Sequence, residues 1–480
     1  MSAWLDPAEE RARQRAGKRL REWPWPQAVR SGLARLRAAG GRAWLVGGSV
    51  RDVLLGRGAG AEVDVATDLV PERVRAAYPH VVPIGAAFGT MLALWEGVRL
   101  EITTLRREGS YSDARHPDEV AFTDDPLSDL DRRDLTVNAL AFDPATGVLL
   151  DPHGGALDLE RRLLRAVGEP ADRFREDALR PLRVARLAAV LEMEVEGRTR
   201  AALGGVLDCA PRLAIERVRG ELEKLMRARQ PSVGWEILRE AQLLALWLPE
   251  LQACRGVVQN RFHAYDVYFH SLYSCDAAPP GKPAVRWAAL LHDLGKPATR
   301  AGKDGEGTFY GHDRVGAELA DAVLGRLRFP NAFRVHVVRL VREHMFDYRT
   351  NWSDAVLRRW LRRVGVANVA DLFDLRLADA AGNGLKSAHP AALDEFAERI
   401  RRTLEAGDAL TVRDLAVDGE DVMRELGVPP GRAVGEALNA LLAEVLERPS
   451  LNERGRLLDR LRANARESRA RNERSSAGDA

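Results

Sequence analysis

Two acidic residues stand two positions apart in the stretch AEVDVAT, residues 61–67. The alternation predicts a strand with Glu62 and Asp64 on one face, valines on the other, and about 7 Å between the acidic positions. Such a pair can hold two Mg²⁺ ions, one activating an attacking hydroxyl and one neutralising a leaving pyrophosphate. Glu101, in the apolar run VRLEITT, would complete the acidic cluster. Taken alone, the pair fits better an edge strand that turns its charges to water.

A glycine turn precedes the acidic pair. LVGGSVRDVLLGR, residues 45–57, predicts an apolar strand, a Gly-Gly-Ser turn and an amphipathic helix. The turn places backbone N–H groups and a hydroxyl at a helix start, where a triphosphate can bind. Many strand–turn–helix units carry glycines, so the turn indicates a triphosphate site only together with the nearby carboxylates.

A third set of residues is rich in histidine. Six of the ten histidines fall between His263 and His344, and AALLHDLGKP contains the doublet His292-Asp293. Imidazole and carboxylate together suit Mn²⁺, Ni²⁺, Fe²⁺, Zn²⁺ or Mg²⁺. A lone histidine is more often a core or surface residue, but this doublet has further candidate ligands on flanking helices. They are His270, His312, His344 and Asp379.

The elements that must position these residues change character along the 480-residue chain. Strand-like runs with glycine turns fill residues 31–165 and predict an α+β head with a small mixed sheet. Helical periodicity begins at Asp172, and the rest should be all-α. We therefore expect a helical extension (1–30), the head, a helical neck (166–255), a histidine-rich domain (256–390) and a helical tail (391–480) with a disordered end.

Composition limits the class of protein. Hydrophobic residues make up 46% of the chain and charged residues 30%, as in most globular proteins. The apolar runs are too short to cross a bilayer and the N-terminus has no apolar signal core, so we expect a cytoplasmic protein. Three scattered cysteines argue against a disulfide framework. With a net charge of +2, contacts to nucleic acid must come from local basic patches.

The motifs GGSVRD, ExDVAT, LEITTLRREGSYSDARHP, RRDLTVNALA and EDALRPLRVAR follow one another between about residues 40 and 250. In this order and spacing the chain resembles the class II tRNA nucleotidyltransferase and bacterial poly(A) polymerase family. The resemblance implies Mg²⁺ on Glu62 and Asp64, although the family has Asp at the first position. It implies a flexible nucleotide-switching loop at residues 107–117 and a role for the neck in selecting the nucleotide and binding RNA. The implied nucleotide contacts are Gly47, Gly48, Ser49, Arg51, Arg107, Arg132, Arg133, Asp134, Asn138, Glu176, Asp177, Arg180 and Arg183.

The EDALR motif has a physical logic of its own. On one helix, Asp177 and Arg180 would share a face. Cytosine and adenine both present an amino donor beside a ring-nitrogen acceptor, so a carboxylate and a guanidinium can bind both bases and refuse guanine and uracil. In isolation, a surface salt bridge explains the spacing better.

Residues 260–385 resemble the HD metal-dependent phosphohydrolase superfamily. The resemblance implies four core ligands and a second metal position, with a divalent transition metal or Mg²⁺ bound. His263 and His336 would support the ligands from behind or be structural. The core ligands are His270, His292, Asp293 and Asp379, and the second position has His312 and His344.

Two basic segments offer contacts to RNA phosphates. Arg358, Arg359, Arg362 and Arg363 surround Trp360, and residues 398–407 read ERIRRTLEAG. Binding of a tRNA stem there would weaken steeply with salt. A solvated helix face explains both segments equally well.

The FGT of VPIGAAFGTMLAL is typical of the CCA-adding branch of the family. We therefore expect addition of C, C and A to tRNA 3′ ends from CTP and ATP, with a metal-dependent phosphatase or 2′,3′-cyclic phosphodiesterase in the HD region. No membrane and no obligate protein partner is implied. The alternatives are a poly(A) polymerase, an A-adding enzyme, or an HD phosphohydrolase whose head binds RNA but is inactive because of Glu62.

Overall fold

The computed structural model describes residues 6–60, 62–85, 89–108, 120–261, 263–302, 307–385 and 392–478. The chain forms two compact units. One contains Met1–Ala253 with Val323–Phe329, and the other Cys254–Ala322 with Pro330–Ala480. A mixed sheet with helices is followed by helical regions, which confirms the predicted fold class. Within the described residues, no helix is long and apolar enough to span a membrane.

The strands belong to the first unit. They are β1 (Ala43–Val46), β2 (Glu62–Thr67), β3 (Val81–Gly85), β4 (Thr90–Trp95), β5 (Val98–Thr104), β6 (Arg106–Glu108), β7 (Val120–Phe122), β8 (Ala141–Asp143), β9 (Val148–Leu150), β10 (Leu163–Leu164) and β11 (Glu194–Val195). Its first helices are α1 (Pro7–Glu22), α2 (Gln27–Ala38), α3 (Gly47–Leu54), α4 (Pro71–Ala77), α5 (Pro126–Asp131) and α6 (Gly155–Glu160).

Helices then dominate. The first unit continues with α7 (Pro170–Glu176), α8 (Arg180–Leu191), α9 (Gly197–Ala202), α10 (Ile215–Leu225), α11 (Pro231–Glu240), α12 (Leu244–Trp247) and α13 (Pro249–Ala253). The remaining helices are α14 (Val267–Ala277), α15 (Pro283–Leu291), α16 (Lys296–Thr299), α17 (His312–Arg326), α18 (Asn331–Glu343), α19 (Asp354–Val364), α20 (Val369–Gly382), α21 (Ala392–Glu405), α22 (Gly419–Leu426), α23 (Arg432–Glu447) and α24 (Arg454–Gly478).

The main sheet has seven strands in the order β3-β4-β5-β2-β1-β8-β9. Strands β2 and β5 are parallel and the other neighbours antiparallel. Val63 and Val65 are buried on one face, which α2 and α4 cover by packing on β5 and β4. Asp64 therefore points to the opposite, open face, as the alternation predicts.

The EDALR motif does not lie on one helix, which corrects the prediction that Asp177 and Arg180 share a helix face. Helix α7 ends at Glu176, Asp177 has extended backbone angles, and α8 begins at Arg180. The cause is Pro181, which in a continuous helix would collide with the carbonyl of Asp177 four residues earlier. The two residues therefore stand on either side of a break between helices.

The last helix, α24, is described as far as Gly478. The predicted disorder of the chain end stays a prediction. The segment is rich in Ala, Arg and Glu, which favour the helical backbone even without an apolar face.

Candidate active sites

Asp64 and Glu101 occupy the same level of the open face. In the parallel pair β2–β5, Asp64 lies opposite Glu101 and Glu62 lies opposite Arg99. The N–H of Gly48 donates to Asp64 Oδ2 over 3.0 Å, and the N–H of Asp64 donates to Ser49 Oγ over 2.8 Å. These two bonds fix the glycine turn against the acidic strand.

The acidic cluster carries an excess of negative charge. Burial raises the pKa of Asp64, although Arg133 acts against it. Burial also raises the pKa of Glu101, followed by the charges of Asp64 and Glu62. A cation among these carboxylates would relieve the repulsion, and carboxylate oxygens are the donors that Mg²⁺ prefers. The residues present therefore fit Mg²⁺.

Glu62 is the outlying member of the cluster. Its side chain is 51% exposed and forms an ion pair with Arg99. It shares the open face with Asp64, as predicted, but does not line the neighbouring cavity. Its longer side chain thus has a partner on the next strand.

A cavity of about 570 Å³ opens beside Asp64 and Glu101. The structure brings most predicted site residues together there, but among the described residues Glu62, Ser49, Arg107 and Glu176 do not line it. The predicted residues that line the cavity are Gly47, Gly48, Arg51, Asp64, Glu101, Arg132, Arg133, Asp134, Asn138, Asp177, Arg180 and Arg183.

A chain of hydrogen bonds joins three motifs in the cavity wall. Arg51 Nη1 donates to Asn138 Oδ1 over 2.6 Å, and Asn138 Nδ2 donates to Asp134 Oδ1 over 3.0 Å. Arg183 Nε donates to Asp134 Oδ2 over 2.7 Å. Burial opposes ionisation of Asp134, but Arg183 and Asn138 outweigh it and lower its pKa. Asp134 thus stays charged and links α8 to the glycine-turn helix.

Asp129 is a positioning residue that was not predicted from the family motifs. It is buried and accepts from Arg132 Nη2 at 2.6 Å and from Arg133 Nη2 at 3.2 Å. Burial opposes its ionisation, and the two guanidinium groups outweigh it and lower its pKa. The signal was visible in SDLDRRD, where the spacings i,i+3 and i,i+4 place Asp129 beside both arginines.

The cavity also contains cations that were not among the predicted site residues. Arg106 lines it while Arg107 is exposed, because neighbouring residues of β6 face opposite ways. Residues 109–117 of the predicted flexible loop lie outside the described residues. Helix α10 contributes Arg217 and Lys224, which are distant in sequence from every quoted motif.

Asp177 and Arg180 meet the cavity from the helix break. Arg217 Nη2 donates to Asp177 Oδ2 over 2.8 Å, and the N–H of Leu179 donates to Asp177 Oδ1 over 3.0 Å. Arg180 Nη1 bonds Glu176 at 2.5 Å, and its Nη2 donates to the carbonyl of Arg132 over 3.0 Å. Glu176 therefore orients Arg180 from behind and does not face the cavity.

In the second unit, the HD residues converge on Asp293. Helix α15 ends at Leu291, which puts His292 and Asp293 in the turn that follows. His270 Nε2 and His292 Nε2 lie 3.4 and 3.2 Å from Asp293 Oδ2, and His312 Nε2 lies 3.4 Å from Oδ1. His344 Nε2 lies 3.9 Å from Oδ1. Asp379 Oδ1 approaches His270 Nε2 to 3.2 Å.

The hydrogen bonds on the outer ring nitrogens show what this cluster can bind. The Nδ1 atoms of His292, His312 and His344 lie 2.8, 2.7 and 2.6 Å from backbone carbonyls, so each Nδ1 carries the proton. The Nε2 lone pairs of His312 and His344 then face each other at 3.3 Å. Lone pairs and carboxylates this close need a cation between them, and the donor set fits a divalent metal.

Within the described residues, the groups of potential ligands that lie close enough for one ion are His270–His292–Asp293 and Asp293–His312–His344. Both share Asp293. Burial, followed by the charge of His292, lowers the pKa of His344 to about 3, so its ring stays unprotonated. Burial opposes protonation of His292, but Asp293 and Asp379 outweigh it and raise its pKa. The raised pKa thus reflects the two carboxylates beside the ring.

Other polar residues complete the HD cavity of about 410 Å³. Lys296 Nζ bonds Asp293 Oδ2 and Gln259 Oε1, each at 2.6 Å, and Arg376 Nη1 bonds Asp379 Oδ2 at 3.1 Å. His263 also lines this cavity. His336 lies apart from the ligand groups and bonds Asp371 and Asn368.

The basic segments are engaged within the protein. Arg358 is buried against the carbonyl of Leu446 and Asp408, at 2.7 and 3.0 Å. Arg359, Arg362 and Arg363 bond Glu447, Asn439 and Glu343. Arg401 and Arg402 bond glutamates of their own helix. The arginines of the first segment thus bond other helices, which neither interpretation of the sequence predicted. Those of the second segment form pairs within their own helix.

Profiles of known domains match three segments of the chain. They are the poly A polymerase head domain at residues 43–165, the "Probable RNA and SrmB- binding site of polymerase A" at 192–254, and the HD domain at 263–382. The head and HD domains imply dependence on divalent metal ions.

Curated relatives cover most of the chain. It is 40% identical to the A-adding tRNA nucleotidyltransferase of Deinococcus radiodurans over 330 residues, which are 65% of this chain and 74% of that protein. It is 32% identical to the CCA-adding enzyme of Geobacillus thermodenitrificans over 439 residues, which are 90% of this chain and 96% of that protein.

Solved structures agree. The CCA-adding enzyme of Bacillus stearothermophilus in complex with CTP matches with a TM-score of 0.72 and 28% identity over 94% of this chain and 100% of that one. The Thermotoga maritima CCA-adding enzyme complexed with tRNA shares the fold, with a TM-score of 0.57 and 18% identity over 94% of this chain and 98% of that one. The chain therefore belongs to the class II tRNA nucleotidyltransferase family of CCA-adding and A-adding enzymes, as a nucleotidyltransferase that also carries an HD domain.

Proposed function

We propose that this nucleotidyltransferase adds C, C and A to the 3′ ends of tRNA from CTP and ATP and releases pyrophosphate. The observation that carries the proposal is a single cavity that combines the Asp64–Glu101 pair, the glycine turn and the Asp177–Arg180 edge. The CCA-adding relative that covers 90% of this chain supports it.

Each part of the cavity has a role in this reaction. Gly47, Gly48 and Arg51 bind the triphosphate, and Arg133 offsets the charge near Asp64. Asp64, Glu101 and Glu62 would hold Mg²⁺, which when bound activates the 3′-hydroxyl and stabilises the leaving pyrophosphate. Positioning and charge stabilisation suffice for phosphoryl-type transfer, so no protein nucleophile is required.

Base selection follows from the helix break. Asp177 accepts the amino hydrogen of cytosine or adenine and Arg180 donates to the ring nitrogen. Guanine and uracil present the reverse pattern and leave both side chains unpaired, which costs binding free energy. The bonds from Arg217 and Glu176 hold the two side chains in place for this contact.

The test is a set of tRNAs incubated with each labelled nucleotide. Transfer of CMP to tRNA that ends before CCA, followed by AMP, supports the proposal. If only tRNA ending in CC is extended, and by AMP alone, the protein is an A-adding enzyme like its Deinococcus relative. Long A tails on unrelated RNA would identify a poly(A) polymerase.

For the HD domain we propose a second activity, a metal-dependent phosphatase or 2′,3′-cyclic phosphodiesterase that acts on RNA ends. The observations in favour are that the two ligand groups share Asp293 and that the Nε2 atoms of His312 and His344 are unprotonated. Cleaved RNA can end in a phosphate, and removing it would restore the 3′-hydroxyl that transfer needs. Ni²⁺, Mn²⁺, Fe²⁺ and Mg²⁺ all suit the donor set.

Hydrolysis of 2′,3′-cyclic AMP by the purified full chain, with each metal added in turn, tests this activity. Activity with one metal and none after chelation supports the proposal. Intact substrate with every metal, in protein that still adds nucleotides to tRNA, would rule it out.

A further inference from the structure

The open face of the sheet continues beyond the carboxylates as an apolar surface. Leu92 lies opposite Glu101 in the pair β4–β5, and Val82 lies opposite Leu92 in the pair β3–β4. Residues opposite each other in register point to the same face. Leu94 follows on that face, opposite Arg99. We call Val82, Leu92 and Leu94 the apolar platform.

The apolar platform is exposed. Val82 is 59% and Leu94 53% exposed, while their strand neighbours Met91 and Ala93 are buried on the helix-covered face. On the face that carries the acidic cluster, Trp44 and Ala66 are buried in a hydrophobic core at the β1–β2 end, whereas β3 and β4 expose aliphatic side chains there. Contiguous apolar side chains that stay exposed beside a substrate cavity offer a binding surface.

The geometry of nucleotidyl transfer indicates which part of the substrate lies over the platform. The cavity that contains the glycine turn includes Asp64, Glu101 and Thr90, whereas the apolar platform lies outside it. In nucleotidyl transfer the attacking and leaving oxygens stand roughly in line on opposite sides of the phosphorus. With the triphosphate in the cavity, the attacking 3′-hydroxyl must arrive from the platform side of the carboxylates.

We propose that the apolar platform binds the terminal nucleotide of the RNA being extended, with its base packed on Val82 and Leu94. This inference rests on the proposed function, which makes an RNA 3′ end the acceptor. Arg99, exposed at the edge of the platform, can contact a backbone phosphate. Aliphatic side chains offer no hydrogen bonds, so the surface accepts any base and tolerates a 3′ end whose identity changes with each addition.

A second copy of the chain is the competing occupant, because β3 is an edge strand of the sheet. Pro83 in β3 lacks the N–H that strand pairing needs. The register also shifts between Pro83 and Gly85, which bends the edge. These two features oppose strand addition and favour the RNA end.

The test compares two variants of the full chain. Val82→Ser with Leu94→Ser replaces the two most exposed residues of the platform by polar ones. Val148→Ser is the matched control, since Val148 is 51% exposed on β9 at the other edge of the sheet. We expect the double variant to raise the KM for tRNA about 10-fold through lost apolar contact, with the KM for ATP unchanged. An unchanged KM for tRNA, or a wild-type dimer that the double variant dissociates, would overturn the proposal.

A crosslinking measurement separates this inference from the proposed function. Binding of tRNA that ends in 8-azidoadenosine needs no turnover, and irradiation should label the peptide of residues 81–95 in wild type and Val148→Ser but not in the double variant. If a peptide other than residues 81–95 is labelled in a protein that still extends tRNA, the proposal about the platform is wrong and the proposed function stands. A protein that extends no tRNA contradicts the proposed function, whatever is labelled.

Discussion

Arg217 of α10 donates to the carboxylate of Asp177 over 2.8 Å, at the break between α7 and α8. One oxygen of Asp177 thus faces a guanidinium and the other the backbone N–H of Leu179. A side chain held at both oxygens has a single orientation toward the cavity. The orientation of Asp177, which is proposed to bind the base together with Arg180, therefore depends on α10. This helix lies outside the five family motifs.

Arg217→Gln should loosen this edge. We expect the KM for ATP and CTP to rise about 10-fold, as for loss of a charge-assisted hydrogen bond, and misincorporation of UMP or GMP to become detectable. Arg229→Gln is the control, because Arg229 is exposed and pairs only with Glu192 among the described contacts. Unchanged selectivity in the Arg217 variant would show that Asp177 needs no partner.

Substitutions in the acidic cluster should lower nucleotide transfer to different extents. Asp64→Asn and Glu101→Gln should abolish detectable transfer, because both line the cavity. Glu62→Asp should keep activity, whereas Glu62→Ala should lower kcat about 100-fold, as expected for a misplaced metal site. Single-turnover rates at saturating tRNA and ATP measure this. A fully active Glu62→Ala variant would mean that Glu62 is no ligand.

Asp129→Asn should weaken both nucleotide binding and the fold. Removing the charge leaves Arg132 and Arg133 without their buried partner, which costs about 3 kcal/mol in unfolding free energy, and the KM for ATP should rise. Asp131→Asn is the control on the same helix, since Asp131 is mostly exposed. Urea unfolding and steady-state kinetics check both effects. Equal stability of the two variants would contradict this role.

His312→Ala should lower the metal content of the HD domain and abolish its hydrolysis without changing tRNA extension. The reason is that His312 belongs to one of the two ligand groups, while nucleotide transfer uses the other unit. His336→Ala is the matched control, because His336 bonds Asp371 and Asn368 and no candidate ligand. Metal content by mass spectrometry and cleavage of 2′,3′-cyclic AMP are the readouts. Equal metal content in both variants would refute the ligand assignment.

Asp134 should make stability depend on pH. Burial opposes its ionisation, but Arg183 and Asn138 outweigh it and lower its pKa in the folded chain. Such a carboxyl stabilises the fold above its unfolded pKa of about 3.9, and this contribution is lost as the pH falls through the folded pKa. The stability gap between wild type and Asp134→Asn should therefore be wide at pH 7, start to decrease below about pH 4, and vanish only as the pH falls through the lower pKa of the folded state. Calorimetry of both proteins checks this, and a gap independent of pH would contradict it.

Residues close in sequence were predictable. Strand alternation placed Glu62 and Asp64 on one face, and motif order indicated the family. The break at Asp177 was missed, although Pro181, four residues further on, indicates it. The presence of Arg217 and Lys224 in the cavity could not be predicted, because only the packing of α10 brings them there. The partners of the basic segment around Trp360 could not be predicted for the same reason: its acceptors, such as Asp408, are distant in sequence.

The two ligand groups of the HD domain have Asp293 in common. One carboxylate cannot give its full charge to two ions at once, so the first ion bound diminishes the attraction for the second. Loading should proceed in two steps of unequal affinity, and the population with one ion should dominate over a range of metal concentrations. Metal supply could thus grade the output of this domain, rather than merely switch it on.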